Sequence, residues 1–259
     1  MSRDQPLRGR PYPADKLHPA HYLSEFLGTA ALVICGLSVV ILMFGAGSPV
    51  AGLIPDQGLR RAVTGFLFGS TGMLIALSRV GKISGAHINP AMTFAFWLDG
   101  KLAWRDAGLY ALAQLAGGAA GAVILLVWGP MGASVHFGAT LPDPALPVWA
   151  ALGGEIVCTY IMVTLVFVLA AHDVTQPYVP LINPPLFAVL VWLEAPLSGT
   201  SVNPARSLGP ALVGGVMAQQ WIYVAGPCLG AALAVAVLRL AKLDAHRPKE
   251  AKLAHFTAS

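Results

Sequence analysis

The chain has 259 residues, enough for one large domain or two smaller ones. Hydrophobic residues make up 56% of it and charged residues only 11%, whereas soluble domains carry about 25% charged residues. This composition excludes an ordinary water-soluble globular protein and indicates a protein embedded in a lipid bilayer. The net charge of +4 comes mainly from the two ends and short loops, without the basic stripe typical of nucleic-acid-binding proteins.

Six apolar stretches approach the roughly 20 residues that a helix needs to cross a bilayer. In chain order the predicted spans are 22–45, 61–80, 103–128, 148–171, 179–197 and 219–241. The pair Pro184-Pro185 is expected in the first turn of the fifth span, where proline loses no intrahelical hydrogen bond. The sequence therefore predicts an all-α membrane protein with one channel-sized domain at 20–242, between tails at 1–19 and 243–259.

Two further apolar stretches, at 90–98 and 204–213, are too short to cross. At about 1.5 Å per residue, each reaches roughly halfway through a hydrocarbon core of about 30 Å. A half-span leaves backbone polar groups at membrane depth, which is tolerated only where protein or a water-filled cavity satisfies them. Two re-entrant half-helices therefore predict a polar pathway.

Positive charge predicts the orientation, because Lys and Arg are enriched in cytoplasmic loops. They precede the first span, flank the first half-helix and follow the sixth span, while the 129–147 loop has none. This pattern predicts that both termini are cytoplasmic, in an inner or plasma membrane. Arg60 and Arg61 are exceptions, because they lie just before the second span on the predicted outer side.

The two halves of the domain, 20–128 and 148–242, repeat each other. The segment 84–91 (SGAHINPA) matches 198–205 (SGTSVNPA) at an offset of 203 − 89 = 114. Tyr110 and Gly117 correspond to Tyr223 and Gly230 at an offset of 113. Because each half holds three spans, an odd number, the second half must insert upside down. Such inverted repeats place a functional site near the bilayer midplane.

Each repeated segment contains Asn-Pro-Ala, at 89–91 and 203–205. Asn is a preferred N-cap and Pro is favoured at the first helical position, so each motif is expected to begin a helix. Asn89 and Asn203 would cap with the side-chain oxygen and keep the amide nitrogen as a donor. Two helix N-termini meeting at the midplane add partial positive charge. The prediction is a constriction that binds a water or alcohol oxygen and repels cations and hydrated protons.

The segments before the two motifs are expected to line the rest of the path with backbone carbonyls. Their residues are Gly85, Ala86, His87, Ile88, Gly199, Thr200, Ser201 and Val202. Glu25 and Glu155 lie within spans and are interpreted as buried acceptors that hold these segments, with a proton relay as the alternative. Arg206 follows the second motif and is interpreted as a donor at the pore mouth that excludes cations.

No metal or cofactor is expected. The three cysteines, Cys35, Cys158 and Cys228, lie in apolar runs without the spacing of metal ligands and are interpreted as packing residues. His87 has no partner ligands nearby in the sequence.

The motifs of the chain together resemble the aquaporin and glycerol-facilitator (major intrinsic protein) family over roughly 20–242. The resemblance rests on both Asn-Pro-Ala motifs, on Arg206, on the Ser-Gly pair before each motif, and on Glu25 and Glu155. The resemblance implies six spans and two half-helices in an inverted three-plus-three repeat, assembled as a homotetramer with one pore per subunit. It also implies passive flux of water or small uncharged solutes such as glycerol, urea or metalloid acids. We therefore do not expect an enzyme.

The resemblance also implies a filter of four positions near the outer mouth. Distances from the motifs assign them to Gly69, Val191, Thr200 and Arg206, with Phe68 one residue from the first position. Gly69 and Val191 would replace the aromatic and His of the water-specific pattern and widen the mouth. Thr200 stands where some family members carry Cys, so mercury is not expected to block the pore at the filter.

Two other interpretations remain open. One is a proton-coupled secondary transporter that uses Glu25 or Glu155, since inverted repeats occur there too. The other is an intramembrane serine hydrolase that uses Ser84 and His87, although the sequence lacks a Gly-x-Ser-x-Gly nucleophile turn.

Overall fold

A computed structural model describes residues 17–241. Its eight principal helices, in chain order, are α1 Pro19–Phe44 (with a π-helical turn at Leu32–Gly36), α2 Gln57–Leu77, α3 Pro90–Leu98, α4 Trp104–Ile124, α5 Val148–Ala170, α6 Val179–Ser198, α7 Pro204–Val213 and α8 Ile222–Leu240. Shorter helical segments are Val50–Leu53, Arg79–Ser84, Leu125–Trp128, Gly129–Ala133, His136–Gly138 and Gln176–Tyr178. The predicted tails lie outside the described residues, apart from residues 17–19.

Six of these helices are long and two are short, which confirms the predicted all-α architecture of spans and half-spans. Helices α1, α4, α5, α6 and α8 are long and apolar enough to cross a bilayer. Helix α2 has a similar length of 21 residues but begins with a more polar turn that includes Arg60 and Arg61. Helices α3 and α7 have 9 and 10 residues and begin at the motif prolines, as the capping argument predicts.

The prediction for Pro184-Pro185 is wrong. Helix α6 begins at Val179, so both prolines lie inside it, about one turn beyond the first turn. Proline inside a helix removes a backbone donor and crowds the carbonyl four residues earlier. In a membrane protein such positions are tolerated because neighbouring groups satisfy the backbone that is left unpaired.

The halves of the chain interlock around the half-helices. Helix α1 packs along α4 and α5 along α8, each pair lying within one half. Each half-helix also crosses to the other half: α7 packs on α4, and α3 packs on α8. Helices α2 and α6, one from each half, form the longest contact between the halves. The N-terminal ends of α3 and α7 therefore meet in the middle of the helix bundle.

The repeated glycines explain how closely the spans approach. A Cβ on Gly117 would collide with the backbone carbonyl of Phe26 in α1, and a Cβ on Gly230 would collide with that of Ile156 in α5. Phe26 and Ile156 are themselves 130 positions apart, the same offset as Glu25 and Glu155. The repeat seen in the sequence is therefore a repeat of helix contacts.

Large apolar side chains cover much of the outside of the helix bundle. Examples on five of the spans are Leu23, Leu74, Leu112, Val157 and Leu193, each more than half exposed. Water-soluble monomers rarely expose apolar surface so widely. This exterior fits a lipid environment.

Candidate functional site

Asn89 and Asn203 lie at the N-termini of the two half-helices and hold the halves of the chain together. The side-chain oxygen of Asn89 accepts from Ala91 N at 2.9 Å, and that of Asn203 accepts from Ala205 N at 3.0 Å. Their amide nitrogens donate across the centre, from Asn89 to the Val202 carbonyl at 2.8 Å and from Asn203 to the Ile88 carbonyl at 2.9 Å. One hydrogen of each amide is used by this crossed pair, so each keeps a second hydrogen to donate.

The segments before the motifs, 85–88 and 199–202, have an unusual and matching backbone. In both, the first, second and fourth residues have φ between +41° and +95°. Only the first of the three is glycine in each segment, and side chains other than glycine rarely adopt this left-handed region. Such a backbone forms neither a helix nor a strand, so its N–H groups need partners elsewhere.

Glu25 and Glu155 supply those partners. Both side chains are completely buried. The Glu25 carboxylate accepts from His87 N at 3.0 Å and from Ile88 N at 2.6 Å. The Glu155 carboxylate accepts from Ser201 N at 2.7 Å and from Val202 N at 2.8 Å. Each acid therefore holds two consecutive N–H groups of the irregular segment in its own half.

Two repeated tyrosines hold the same segments from their other end. The hydroxyl of Tyr110 donates to the Ser84 carbonyl at 3.1 Å, and that of Tyr223 donates to the Ser198 carbonyl at 2.7 Å. These tyrosines correspond in the repeat at an offset of 113, and the sequence pattern alone predicted no role for them. Their common contact is the last residue before each irregular segment.

The first half has an additional hydrogen-bond network that the sequence pattern did not predict. Gln114 is fully buried in α4 and donates to Glu25 at 2.7 Å and to Thr93 at 2.9 Å. Thr93 also contacts Nδ1 of His87 at 3.2 Å, while the imidazole stacks on Phe96 with centroids 4.6 Å apart. A polar residue in an apolar span was the only sequence signal for Gln114.

Two cavities lie along the path through the centre. The inner one has a volume of about 60 Å³ and contacts both motif asparagines. The other has a volume of about 390 Å³ and is called the outer vestibule, because Arg60 and Arg61, which line it, lie on the predicted outer side. Phe68 and Phe187 line both cavities and stack with ring centroids 5.8 Å apart. These two rings therefore stand at the boundary between the vestibule and the inner cavity.

Val191, Thr200 and Arg206 line the vestibule together, whereas Gly69, the fourth residue predicted for the filter, does not line it. A Cβ on Gly69 would collide with the backbone carbonyl of Asn183, so this side of α2 packs on α6 and contacts the inner cavity only. Phe68, the neighbouring residue, occupies the position beside Arg206. A one-residue shift turns a helix by about 100°, which is why distance along the chain did not separate the two.

On α2 and α6, most of the residues that line the two cavities follow a spacing of four, as residues on one helix face do. On α2 the stripe is Arg60, Thr64, Phe68, Gly72 and Ala76. On α6 it is Val191, Phe187 and Asn183. Counting back along the chain from Val191 in steps of four gives Phe187 and Asn183. This spacing would have identified both as lining residues, although neither was predicted from the sequence.

Arg206 is 5% exposed, at the start of α7. Its Nη1 donates to the Gly138 carbonyl at 3.1 Å, and its Cζ lies 5.7 Å from the centroid of the Phe68 ring. The side chain is therefore held between a loop carbonyl and an aromatic ring. The guanidinium, rather than the aliphatic part of the side chain, thus faces the vestibule.

The cysteines and other candidate ligands do not converge. Cys158 is buried, Cys228 is partly buried and Cys35 is exposed. Within residues 17–241, no group of three His, Cys, Asp or Glu side chains could hold a metal ion.

The chain is similar to known proteins over most of its length. The model of the Major intrinsic protein family matches residues 16–238. Aquaporin NIP1-4 of Oryza sativa subsp. japonica is 35% identical over 227 residues, which cover 87% of this chain and 78% of the relative. Aquaporin AqpM of Methanothermobacter marburgensis is 34% identical over 230 residues, 82% of this chain and 93% of the relative. The aquaglyceroporin from Plasmodium falciparum has a similar fold, with a TM-score of 0.68 at 18% identity over 87% of this chain and 98% of that one.

Proposed function

Because the chain belongs to the major intrinsic protein family, we propose that it conducts water and small uncharged solutes passively across a membrane. The relatives are named aquaporins, and the protein of similar fold is an aquaglyceroporin. The path runs from the outer vestibule past Phe68 and Phe187 to the inner cavity between the two motifs. A volume of about 60 Å³ is enough for several water molecules, since one water needs about 10–15 Å³.

The crossed pair of amides is the observation that carries the proposal. Asn89 and Asn203 each donate one hydrogen across the centre and keep one for the path. An oxygen that passes between them accepts from both, as the oxygen of water or an alcohol does. The N-termini of α3 and α7 add partial positive charge at the same point. A cation there meets two donors and a repulsive field, so it is excluded.

The two irregular segments give the rest of the path its acceptors. Because Glu25 and Glu155 hold N–H groups of these segments on the protein side, we infer that the carbonyls of 85–87 and 199–201 face the path. The carbonyls of Ile88 and Val202 accept the crossed amides instead. A solute then exchanges its water shell for these carbonyls one step at a time. Rigid acceptors suit a static pore, in which nothing has to rearrange during passage.

Phe68, Val191, Thr200 and Arg206 form the proposed filter. Phe68 makes the mouth narrower than a glycine would, while Val191 keeps one wall apolar. A donor, a hydroxyl and two apolar walls suit a small neutral solute with both a polar and an apolar side. Glycerol, urea and undissociated metalloid acids belong to this class.

We also propose a homotetramer with one pore per subunit, in an inner or plasma membrane with both termini cytoplasmic. The apolar exterior supports the membrane setting. The orientation follows from the excess of Lys and Arg at the predicted cytoplasmic ends. Cross-linking of the protein in native membranes tests the assembly.

Stopped-flow shrinkage of proteoliposomes tests the function. Vesicles are exposed to gradients of sucrose, glycerol or urea, and light scattering reports water efflux and solute entry separately. We expect faster shrinkage than in empty vesicles and re-swelling with at least one solute. Rates equal to those of empty vesicles under all three gradients would refute the channel.

The two other interpretations receive no support. Glu25 and Glu155 already accept two backbone hydrogens each, and nothing in residues 17–241 or in the comparisons favours proton-coupled transport. The hydroxyl of Ser84 interacts with Ser24 at 2.9 Å and accepts from Ala86 N at 3.2 Å, so the structure uses it to form the turn. The family similarity likewise points to transport rather than to a hydrolase.

A further inference from the structure

Arg60 and Arg61 are the charges that the orientation pattern does not explain. They precede α2 on the predicted outer side, opposite to the general excess of positive charge. In the structure both line the outer vestibule, together with Arg206. The exception in the sequence is therefore a concentration of positive charge at one mouth of the path.

The vestibule has little to neutralise this charge. Among residues 17–241, no Asp or Glu lines it. The buried carboxylates of Glu155 and Glu194 lie close enough to Arg206 to interact with its charge. Arg60 and Arg61, by contrast, form no salt bridge with a carboxylate in the described part of the chain. A concave site lined by one sign of charge concentrates counter-ions.

Arg60 is unusually well placed for a ligand. The residue is only 9% exposed, and its Cζ lies 5.2 Å from the centroid of the Phe44 ring. Its Nη1 donates to the Met43 carbonyl at 3.0 Å, which fixes the guanidinium. Its Nε is buried and has no hydrogen-bond partner within residues 17–241. Because this atom is closed to solvent, a ligand in the vestibule would bind the remaining guanidinium nitrogen, Nη2, which makes no hydrogen bond within residues 17–241.

We propose that the outer vestibule is a binding site for a small oxyanion, with Arg60 as its main donor and Arg61 and Arg206 as flanking charges. A guanidinium presents a planar fork of donors that matches a carboxylate or a tetrahedral oxyanion better than chloride. An anion seated there shares the vestibule with Phe68, Val191 and Arg206, so it obstructs the entrance. The site would make conduction through the proposed channel sensitive to oxyanions outside the cell.

Inorganic sulfate is the probe. Shrinkage of proteoliposomes in a sucrose gradient is measured while sulfate replaces chloride at constant ionic strength on both sides of the membrane. We expect water permeability to fall with sulfate and to level off. The sulfate concentration that gives half the effect should rise about tenfold or more in Arg60→Gln, because a hydrogen bond to a charged group is lost.

Each variant is compared with its own flux in chloride, so a change in basal flux does not affect the result. Arg105→Gln is the matched control, because it removes the same charge from an exposed position at the start of α4, outside the vestibule. Its sulfate response should equal that of the native protein. Arg61 is partly exposed, so Arg61→Gln is expected to lose less of the sulfate response than Arg60→Gln. It takes the place of Arg60→Gln in the comparison if Arg60→Gln does not fold.

Binding is measured separately from conduction. Sulfate should raise the thermal midpoint of the detergent-solubilised protein at constant ionic strength, and this rise should be lost in Arg60→Gln. Stabilisation without any conduction would refute the channel but support the anion site. Equal effects of sulfate and chloride on the native protein, or equal sulfate responses of Arg60→Gln, Arg61→Gln and Arg105→Gln, would overturn the anion site.

Discussion

The side-chain amide of Asn89 donates to the backbone carbonyl of Val202 at 2.8 Å, which joins two residues 113 positions apart. Asn203 makes the same contact in reverse to Ile88 at 2.9 Å. Each asparagine therefore caps its own half-helix and anchors the irregular segment of the other half. The constriction and the contact between the halves depend on the same two side chains.

Replacing Asn89 by Asp tests this double role. At neutral pH the carboxylate accepts but does not donate, so the bond to Val202 is lost and a negative charge enters the field of two helix ends. We expect the stability to fall by about 1–3 kcal/mol, a lower water permeability and a new leak of Na⁺. Thermal unfolding, stopped-flow scattering and a sodium-sensitive dye report the three effects.

Asn183→Asp is the matched control, because Asn183 lines the same inner cavity from α6 without capping a helix. Its effect on stability should be smaller. If both variants lost stability and permeability to a similar extent, the effect would come from a negative charge anywhere in the cavity. The loss of the crossed amide bonds would then not explain it.

Phe68→Ala should widen the mouth and raise the permeability to glycerol or urea several-fold. Gly69→Ala should instead destabilise the protein, because the new methyl group would meet the Asn183 carbonyl of α6. Solute flux and thermal stability together separate a residue that lines the filter from one that packs two helices.

Phe66→Ala serves as the control for Phe68→Ala. Phe66 is on the same helix and is 49% exposed on the outside of the bundle. Its replacement should leave the flux of both solutes unchanged. An increase in solute flux in Gly69→Ala, but not in Phe68→Ala, would restore Gly69 to the filter.

Glu155→Gln should lower stability by about 1–3 kcal/mol, because the amide keeps one acceptor where the carboxylate offered two. One of the bonds from Ser201 N and Val202 N is then lost. Asp56→Asn is the control, since the side chain is exposed and an asparagine still caps Leu59 N. Circular dichroism during heating gives both midpoints.

The same variant bears on the proton-coupled alternative. With a static pore, native flux should not respond to a pH gradient, and Glu155→Gln should keep passive solute flux if the protein folds. Uptake driven by a pH gradient in the native protein and abolished in both Glu25→Gln and Glu155→Gln would identify a transporter instead.

Mercury provides a test at the filter. Thr200 lines the vestibule, so Thr200→Cys places a thiol beside the path. We expect HgCl₂ to block water flux in this variant, with recovery on addition of a thiol, and to have little effect on the native pore. Measuring both in a Cys35→Ser background removes the exposed native thiol. Equal block of the native protein and Thr200→Cys would contradict the prediction.

Much of the fold followed from local patterns. The length and hydrophobicity of the apolar stretches located the spans to within a few residues. The Asn-Pro pairs located the first residue of each half-helix, because helix capping depends only on neighbouring residues in the chain. The inverted repeat followed from matched motifs and an odd number of spans. The prolines of α6 were misplaced, since their tolerance depends on neighbouring helices rather than on the helix itself.

Local sequence therefore determined which segments cross the membrane, which reach halfway and which asparagines cap the half-helices. Tertiary packing decided which face of each helix lines the path, because that depends on the rotation of α2 against α6. The close contact of Gly69 with the α6 backbone turns Phe68 to the mouth. Arg60 lies on the same face of α2 as Phe68, two steps of four residues earlier, so the same rotation turns it to the vestibule. The proposed anion site thus gives a role to a charge that the orientation pattern did not explain.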